Sequence, residues 1–313
     1  APYLTAGNVG LLKHASNVPG CAKAIEEVFH EAGYPEDVFQ TLLIPSDLVD
    51  DLIADDRLRA ATLTGSGPAG RSVASAAGEH LKKTVLELGG SDPFIVLDDA
   101  DLDQATEIGA WARNLNGGQS CAAAKRFIVH TDVYDEFKQR FIEETEALTI
   151  GDPTDEETDI GPMARQDLIE DLHEQVQTSV DAGAEVLTGG EPLDREGAYY
   201  PPTILENIPA GCPADSEEVF GPVAALFEAE DEDEIVRKAN DTEFGLGASI
   251  WTEDRAQGER FARQIEAGCT YVNRQVRSDP RIPFGGIKDS GYGRELSEAG
   301  IKEFVNRKTV WIA

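Results

Sequence analysis

Apolar residues along the first part of the chain switch between two rhythms. A short apolar run predicts a strand over 9–12. Cys21, Ala24, Ile25, Val28, Phe29 and Ala32 then recur at helical spacing, predicting an amphipathic helix that buries this face and stops at Gly33-Tyr34-Pro35. The β-rich stretch 38–44 follows, then a short acidic helix to residue 54 with Asp47 as its cap. A strand over 58–63, a small-residue helix over 67–79 and a strand over 83–88 complete the run. Such alternation predicts an α/β fold with a parallel sheet and right-handed crossovers. The chain opens on Ala1 and is on a strand almost at once, so this unit is expected to start mid-fold.

The pattern continues with strands predicted over 94–97, 126–130, 224–227 and 248–251. Helices are predicted over 101–116, with Asp101 as cap, and over 133–148, 166–182, 235–240 and 255–267. Gly151-Asp152-Pro153 begins an acidic loop, and 199–202 reads as a turn. The tail 308–312 (Lys-Thr-Val-Trp-Ile) reads as an exposed strand, whose open edge would complete its own sheet or pair with a second subunit.

Charge changes this picture most. The 313 residues carry 59 Asp plus Glu against 27 Lys plus Arg, a net −32. A field of that sign repels phosphate backbones and anionic lipid heads, so no nucleic-acid or membrane partner is expected. Acidic runs such as 50–56 and 230–234 interrupt an ordinary apolar pattern. Acid decoration on a normal core suggests a halophilic protein in a high-salt cytoplasm, where the Debye length falls to about 3 Å at 1 M. The length suits about two domains. No apolar run approaches a membrane span, and the start does not read as a signal peptide, so a cytoplasmic location is expected. Cys21, Cys121, Cys212 and Cys269 form no C-x-x-C and no Cys/His cluster; no metal is expected, and the thiols read as reduced.

Three segments carry candidate chemistry. Thr64-Gly65-Ser66-Gly67-Pro68-Ala69-Gly70 joins a strand to a helix, where backbone can approach a phosphate at a helix N-terminus; taken alone, it reads first as a plain turn. Glu87 ends an apolar strand before Leu88-Gly89-Gly90. Partial desolvation there would raise its pKa toward that of a general base, unless it is solvated or paired. Cys121 follows Asn116-Gly117-Gly118-Gln119-Ser120 and precedes three alanines. A helix starting there would favour its thiolate. Cys21, on a helix's apolar face, Cys212 and Cys269 read as structural.

Together these segments resemble the NAD(P)-dependent aldehyde dehydrogenase superfamily, over essentially the whole chain. Glu87 and Cys121 lie 34 positions apart (121 − 87) in L-E-L-G-G and G-Q-x-C motifs. Glu217-Glu218-Val219-Phe220-Gly221-Pro222 and Pro283-Phe284-Gly285-Gly286-Ile287-Lys288 match two further motifs of that family. The resemblance implies Cys121 as nucleophile and Glu87 as base. It implies Gly65, Ser66, Gly70, Glu218 and Phe220 as cofactor-binding residues, with Lys13 reaching the adenosine ribose and Ser16 beside it. Ser16 stands where NAD-preferring members carry Glu, which leaves NAD or NADP open. The implied domains are 1–88, the C-terminal part of a Rossmann-type dinucleotide-binding domain; 89–285, an α/β catalytic domain; and 286–313, a return segment with an oligomerisation strand. Members of the family extend further upstream, where a Trp-Asn pair supplies an oxyanion donor; no Trp-Asn occurs here, so an N-terminally truncated relative is expected.

The stretches around Glu87 and Cys121 look most like the bacterial succinate-semialdehyde dehydrogenase branch. This implies an aldehyde with a distal carboxylate as substrate. Arg277, Ser278 and Arg281, in the segment before Pro283, are the candidate carboxylate ligands, since Arg forks suit carboxylates. A homo-oligomer, dimer or tetramer, is expected. Two other readings stay open: an enzyme passing its acyl group to coenzyme A, and an inactive remnant that serves as a subunit-binding module.

Overall fold

A computed structural model describes residues 2–313. The chain divides into two compact units. One holds the residues up to Glu87 with 278–285 and 291–313; the other holds 88–277 with 286–290.

In the first unit, β1 (Gly10–Lys13) and β2 (Phe39–Leu42) pair in parallel through the crossover helix Pro19–Glu31. β3 (Ala60–Thr64) and β4 (Lys83–Glu87) pair in parallel through the helix Gly67–Glu79, and Gly291–Tyr292 adds an antiparallel edge to β4. These are two separate sheets, where the alternation predicts one. The helix Pro19–Glu31 lies where periodicity places it, but its apolar face is not buried. Ala22, outside that face, is the buried residue and Phe29 is half-buried, while Cys21, Ile25 (45%) and Val28 (62%) are exposed. The helix seats on β2 through Ala22 and through Phe29, which stacks on Phe39 at 4.8 Å. Helical periodicity marks a face that can be buried; a two-stranded pair is too narrow to cover it all. Asp47 is also misplaced as a cap: it lies inside the 3-10 turn Ser46–Leu48, and the helix Val49–Ala54 starts without a side-chain cap bond.

The second unit is built on one seven-stranded sheet. Its strands are β5 (Asp92–Val96), β6 (Ala124–His130), β7 (Glu185–Thr188), β8 (Thr203–Glu206), β9 (Val223–Ala229), β10 (Gly247–Trp251) and β11 (Cys269–Val272), in the order β11-β10-β5-β6-β9-β8-β7. All neighbours are parallel except β7 and β8. Alternation along β5 and β6 divides the core. Phe94, Val96, Phe127 and Val129 pack with Ala105, Phe137 and Phe141 from the helices Leu102–Asn114 and Thr131–Glu146. Ile95, Leu97 and Ile128 pack with Ile235, Ala239 and Phe261 on the other face. Strands covered on both faces read as the continuous apolar runs seen in the sequence. A third cluster joins the helix Gln166–Ala182 to Leu205, Val223 and Ala225. Asp101 accepts from the Gln104 N–H, the cap its position predicts.

The segment 304–313 forms no strand, and Val310, Trp311 (88%) and Ile312 are exposed. An extended segment becomes a strand only when another edge pairs with it, and none in its own unit does. Among the described residues, no helix is long and apolar enough to cross a membrane.

Candidate functional site

In the first unit, β3 and β4 end side by side, with Thr64 opposite Glu87 and the Gly65 N–H bonded to the Glu87 carbonyl at 3.0 Å. This brings the glycine-bearing turn and the carboxylate to the carboxyl ends of two neighbouring strands, where open parallel sheets place ligands. Glu87 is 3% exposed, and neither carboxylate oxygen has a hydrogen-bond partner. Burial, seconded by the charge of Glu295 and opposed by Arg294, pushes its pKa up to about 8. Ser66 caps the helix Gly67–Glu79 by backbone position alone; its hydroxyl makes no cap bond and stays exposed. A Cβ added at Gly65 would meet nothing closer than Leu63 at 3.7 Å, so packing does not demand glycine there. Gly70 is buried in the helix, its N–H on the Ser66 carbonyl at 2.9 Å. Lys13 ends β1 and donates to the Ser46 hydroxyl at 3.2 Å, with Ser16 exposed in the next turn.

In the second unit, Cys121 sits in a turn between the 3-10 segment Leu115–Gly118 and β6, not at a helix start. The expected helix dipole is therefore absent. Ala122–Ala124 has helix-forming composition, but the apolar run 127–129 draws the chain into the sheet. Asn116, Gly117 and Gly118 all have positive φ, which folds the loop sharply back. Gly118 also lies so close to Gly221 and Pro222 that a side chain would collide with their backbone. The G-Q-S-C loop and the E-E-V-F-G-P loop are thus packed together. Gln119 locks the turn: its Nε2 donates to the Asn116 carbonyl at 3.1 Å, and its Oε1 accepts from the Ala164 N–H at 2.9 Å. Burial raises the Cys121 thiol above its ordinary pKa; Lys125 and the Ala122 N–H oppose this, while Asp92 and Glu218 add to it.

Beneath the loop the motif residue Glu218 meets a group of buried charged residues that belong to no motif. Lys125 Nζ donates to the Ser120 and Cys121 carbonyls, both at 2.9 Å, and lies 3.5 Å from Glu218 Oε1. That same oxygen accepts from the Gly90 N–H at 2.9 Å, and a side chain at Gly89 would collide with the Glu218 carboxylate. Asp92, whose pKa burial raises to about 6, accepts from the Gly247 N–H at 3.0 Å. Arg113, pulled down to about 9 by burial, donates to the Gly118 carbonyl at 2.6 Å. Gln275 Nε2 reaches the Ala122 carbonyl at 3.3 Å. Charged residues inside otherwise small or apolar runs, Ala-Lys-Arg-Phe at 124–127 above all, were the available signal for this group. Glu218 and Phe220 line a concavity of about 490 Å³ with Leu172, Gln175, Pro213 and Glu217.

The substrate candidates fall on both sides of the division between the units. Arg277 is exposed in the second unit and its carbonyl accepts from the Tyr271 hydroxyl at 2.7 Å. Ser278 and Arg281 belong to the first unit, where Arg281 forks onto Asp279 at 2.9 and 2.6 Å.

Comparison with known proteins agrees with the motifs. Residues 1–310 match the aldehyde dehydrogenase family. A protein of Synechocystis named probable succinate-semialdehyde dehydrogenase [NADP(+)] is 57% identical over 313 residues, covering 100% of this chain and 69% of its own length. A succinate-semialdehyde dehydrogenase [NADP(+)] of Mycobacterium avium is 54% identical over 312 residues, with 66% of its length covered. The structure of succinic semialdehyde dehydrogenase from Streptococcus pyogenes in complex with NADP+ matches at TM-score 0.97 and 41% identity, over 100% of this chain and 69% of that one. The chain thus spans about two-thirds of the length of these relatives. Motifs, fold and comparisons lead to one statement: the chain belongs to the aldehyde dehydrogenase family.

Proposed function

We propose that this chain oxidises an aldehyde to a carboxylic acid with NADP+, and that the aldehyde is succinate semialdehyde. The observation that carries the reading is Glu87, a carboxylate held at the carboxyl end of β4 with both oxygens unpartnered and its pKa raised to about 8. A structural Glu would be paired or solvated; an unpaired, desolvated one is suited to take a proton from water once it ionises near pH 8. The names of the relatives at 57% and 54% identity support both the cofactor and the substrate.

The residues present fit the dinucleotide. The Gly65 turn leaves space over a helix N-terminus, Lys13 and the neutral Ser16 stand at the end of β1, and Glu218 and Phe220 line a concavity. Lys13 and Ser16 would hold the adenosine ribose with its 2′-phosphate, the Gly65–Gly70 turn the pyrophosphate, and Glu218 the nicotinamide ribose hydroxyls. NADP+, when bound, accepts hydride. The Cys121 thiolate attacks the aldehyde carbon, and the Cys121 N–H stabilises the oxyanion of the resulting thiohemiacetal. Loss of hydride leaves a thioester on Cys121. Glu87 then takes a proton from water as it attacks the thioester, releasing the acid and the Cys121 thiolate, and afterwards returns that proton to solvent. Arg277, Ser278 and Arg281 are the groups proposed to hold the distal carboxylate.

We further propose a cytoplasmic homo-oligomer in which the exposed 310–312 tail pairs with a second subunit, in a high-salt cytoplasm that screens the net −32 charge. The test is NADPH formation by the chain in molar KCl, with succinate semialdehyde and with butyraldehyde, a neutral aldehyde of like length. Preferred turnover of the semialdehyde is expected. No reduction with either aldehyde overturns the reading, and acyl transfer to coenzyme A in place of acid release would favour the thiol-acceptor relatives.

A further inference from the structure

The hydrogen bonds of Lys125 are arranged around the nucleophile rather than around the core. Lys125 is the second residue of β6 and its side chain is 2% exposed. An ammonium group has three N–H donors. Here they face the Ser120 carbonyl, the Cys121 carbonyl and the Glu218 carboxylate. The peptide joining Ser120 to Cys121 is trans, so its C=O and N–H point in opposite directions. An ammonium gripping the Ser120 oxygen therefore turns the Cys121 N–H away from itself. That N–H is the oxyanion donor of the proposed mechanism.

We propose that Lys125 is a positioning residue for the thiol chemistry: it pins both carbonyls of the Ser120–Cys121 turn, aims the Cys121 N–H at the developing oxyanion, and supplies the positive charge that favours the thiolate. The inference rests on the proposed role of Cys121 and deepens it. The charged groups around the thiol are few. Asp92 on β5 and Glu218 on the 217–222 loop disfavour the thiolate, and Arg113, on the helix Leu102–Asn114, is engaged with the Gly118 carbonyl. Lys125 is the cation set against that acidic pair: burial pulls its own pKa below the ordinary lysine value, seconded by Arg113, and Glu218 and Asp92 oppose this and favour the ammonium. The same ammonium holds Glu218 against the Gly90 N–H, which couples the turn to the residue proposed to hold the nicotinamide ribose.

The experiment compares the full chain with Lys125→Met, Lys125→Gln and Lys125→Arg. Carbamidomethylation of Cys121 by iodoacetamide is followed against pH and read on the Cys121 peptide by mass spectrometry, which separates it from the exposed Cys21. NADP+-dependent turnover and KM are measured in parallel. Lys125→Met, which fills the space without donor or charge, should raise the alkylation midpoint by about one pH unit or more. Its kcat should fall roughly 10²–10³-fold, as for a lost oxyanion donor. Lys125→Gln keeps a donor without the charge, so it should share the midpoint shift and retain more turnover. Lys125→Arg should keep the wild-type midpoint. A Lys125→Met protein with wild-type midpoint and kcat overturns the proposal. If that variant does not fold, equal midpoints in the Gln and Arg variants overturn it instead. Absence of turnover in the wild-type chain would count against the proposed function alone, since the alkylation profile reads Lys125 without it.

Discussion

The two units hold their candidate reactive groups in different ways. Around Cys121 the turn itself is tied: Lys125, Arg113, Gln119 and Gln275 all bond loop carbonyls, and Glu218 accepts from Gly90, although Asp92 Oδ2, Arg113 Nε and Nη1 and Gln275 Oε1 are left without a partner. At Glu87 the carboxylate is buried with no bond at all. The first arrangement holds a nucleophile still. The second stores a desolvation cost in one group, which makes it a stronger base once ionised. The apolar surfaces differ as well. β5 and β6 are covered on both faces, whereas the helix Pro19–Glu31 leaves Ile25 and Val28 in solvent.

The largest expected effect is on the tied side. Cys121→Ser should abolish NADPH formation, with near-wild-type thermal unfolding; retained turnover would remove Cys121 from its role. Next comes the untied side. Glu87→Gln should cut steady-state turnover about 10²–10⁴-fold, the range of a lost general base. In the wild-type protein the acid-releasing step should rise with pH through about 8, where Glu87 ionises, and this limb should vanish in the variant. Core and surface can be set against each other by unfolding in denaturant. Phe127→Ala, at the centre of the sheet, should cost about 3–5 kcal/mol. Val28→Ser, on the exposed helix, should change stability by no more than about 0.5 kcal/mol.

A smaller effect concerns pH and stability. Glu87 has a folded-state pKa above its unfolded value, so the folded state binds the extra proton between the ordinary carboxylate pKa and about 8. Its contribution to stability is fully present below that window and is lost as pH rises through it. The Tm of Glu87→Gln relative to wild type should therefore be higher at pH 9 than at pH 5, when both are measured at one salt concentration. A pH-independent difference would mean that Glu87 is not desolvated.

How much of this could be read in the letters depended on what each segment packs against. Glu87 was legible because Thr-Val-Leu-Glu-Leu at 84–88 is an apolar run interrupted by one carboxylate, and burial on a strand end follows from that. The core strands were legible because two-sided burial leaves a continuous apolar signature. The Cys121 turn was not: alanines at 122–124 favour a helix locally, and only the pull of the buried run 127–129 into the sheet decides otherwise. The burial of Cys21 and Ile25 was misread because periodicity describes one helix and not the width of its partner. Lys125 was overlooked because a lysine in sequence reads as surface; its ligands are two carbonyls and a distant glutamate, which no spacing rule reveals.

In the proposed reaction Cys121 carries the acyl group and Glu87 releases it. The most direct measurement mixes the Glu87→Gln protein with NADP+ and succinate semialdehyde, then follows NADPH and the mass of the Cys121 peptide together. A burst of about one NADPH per chain is expected, with little turnover after it and a succinyl adduct on Cys121. Sustained wild-type turnover, or a burst with no adduct on that peptide, would contradict it.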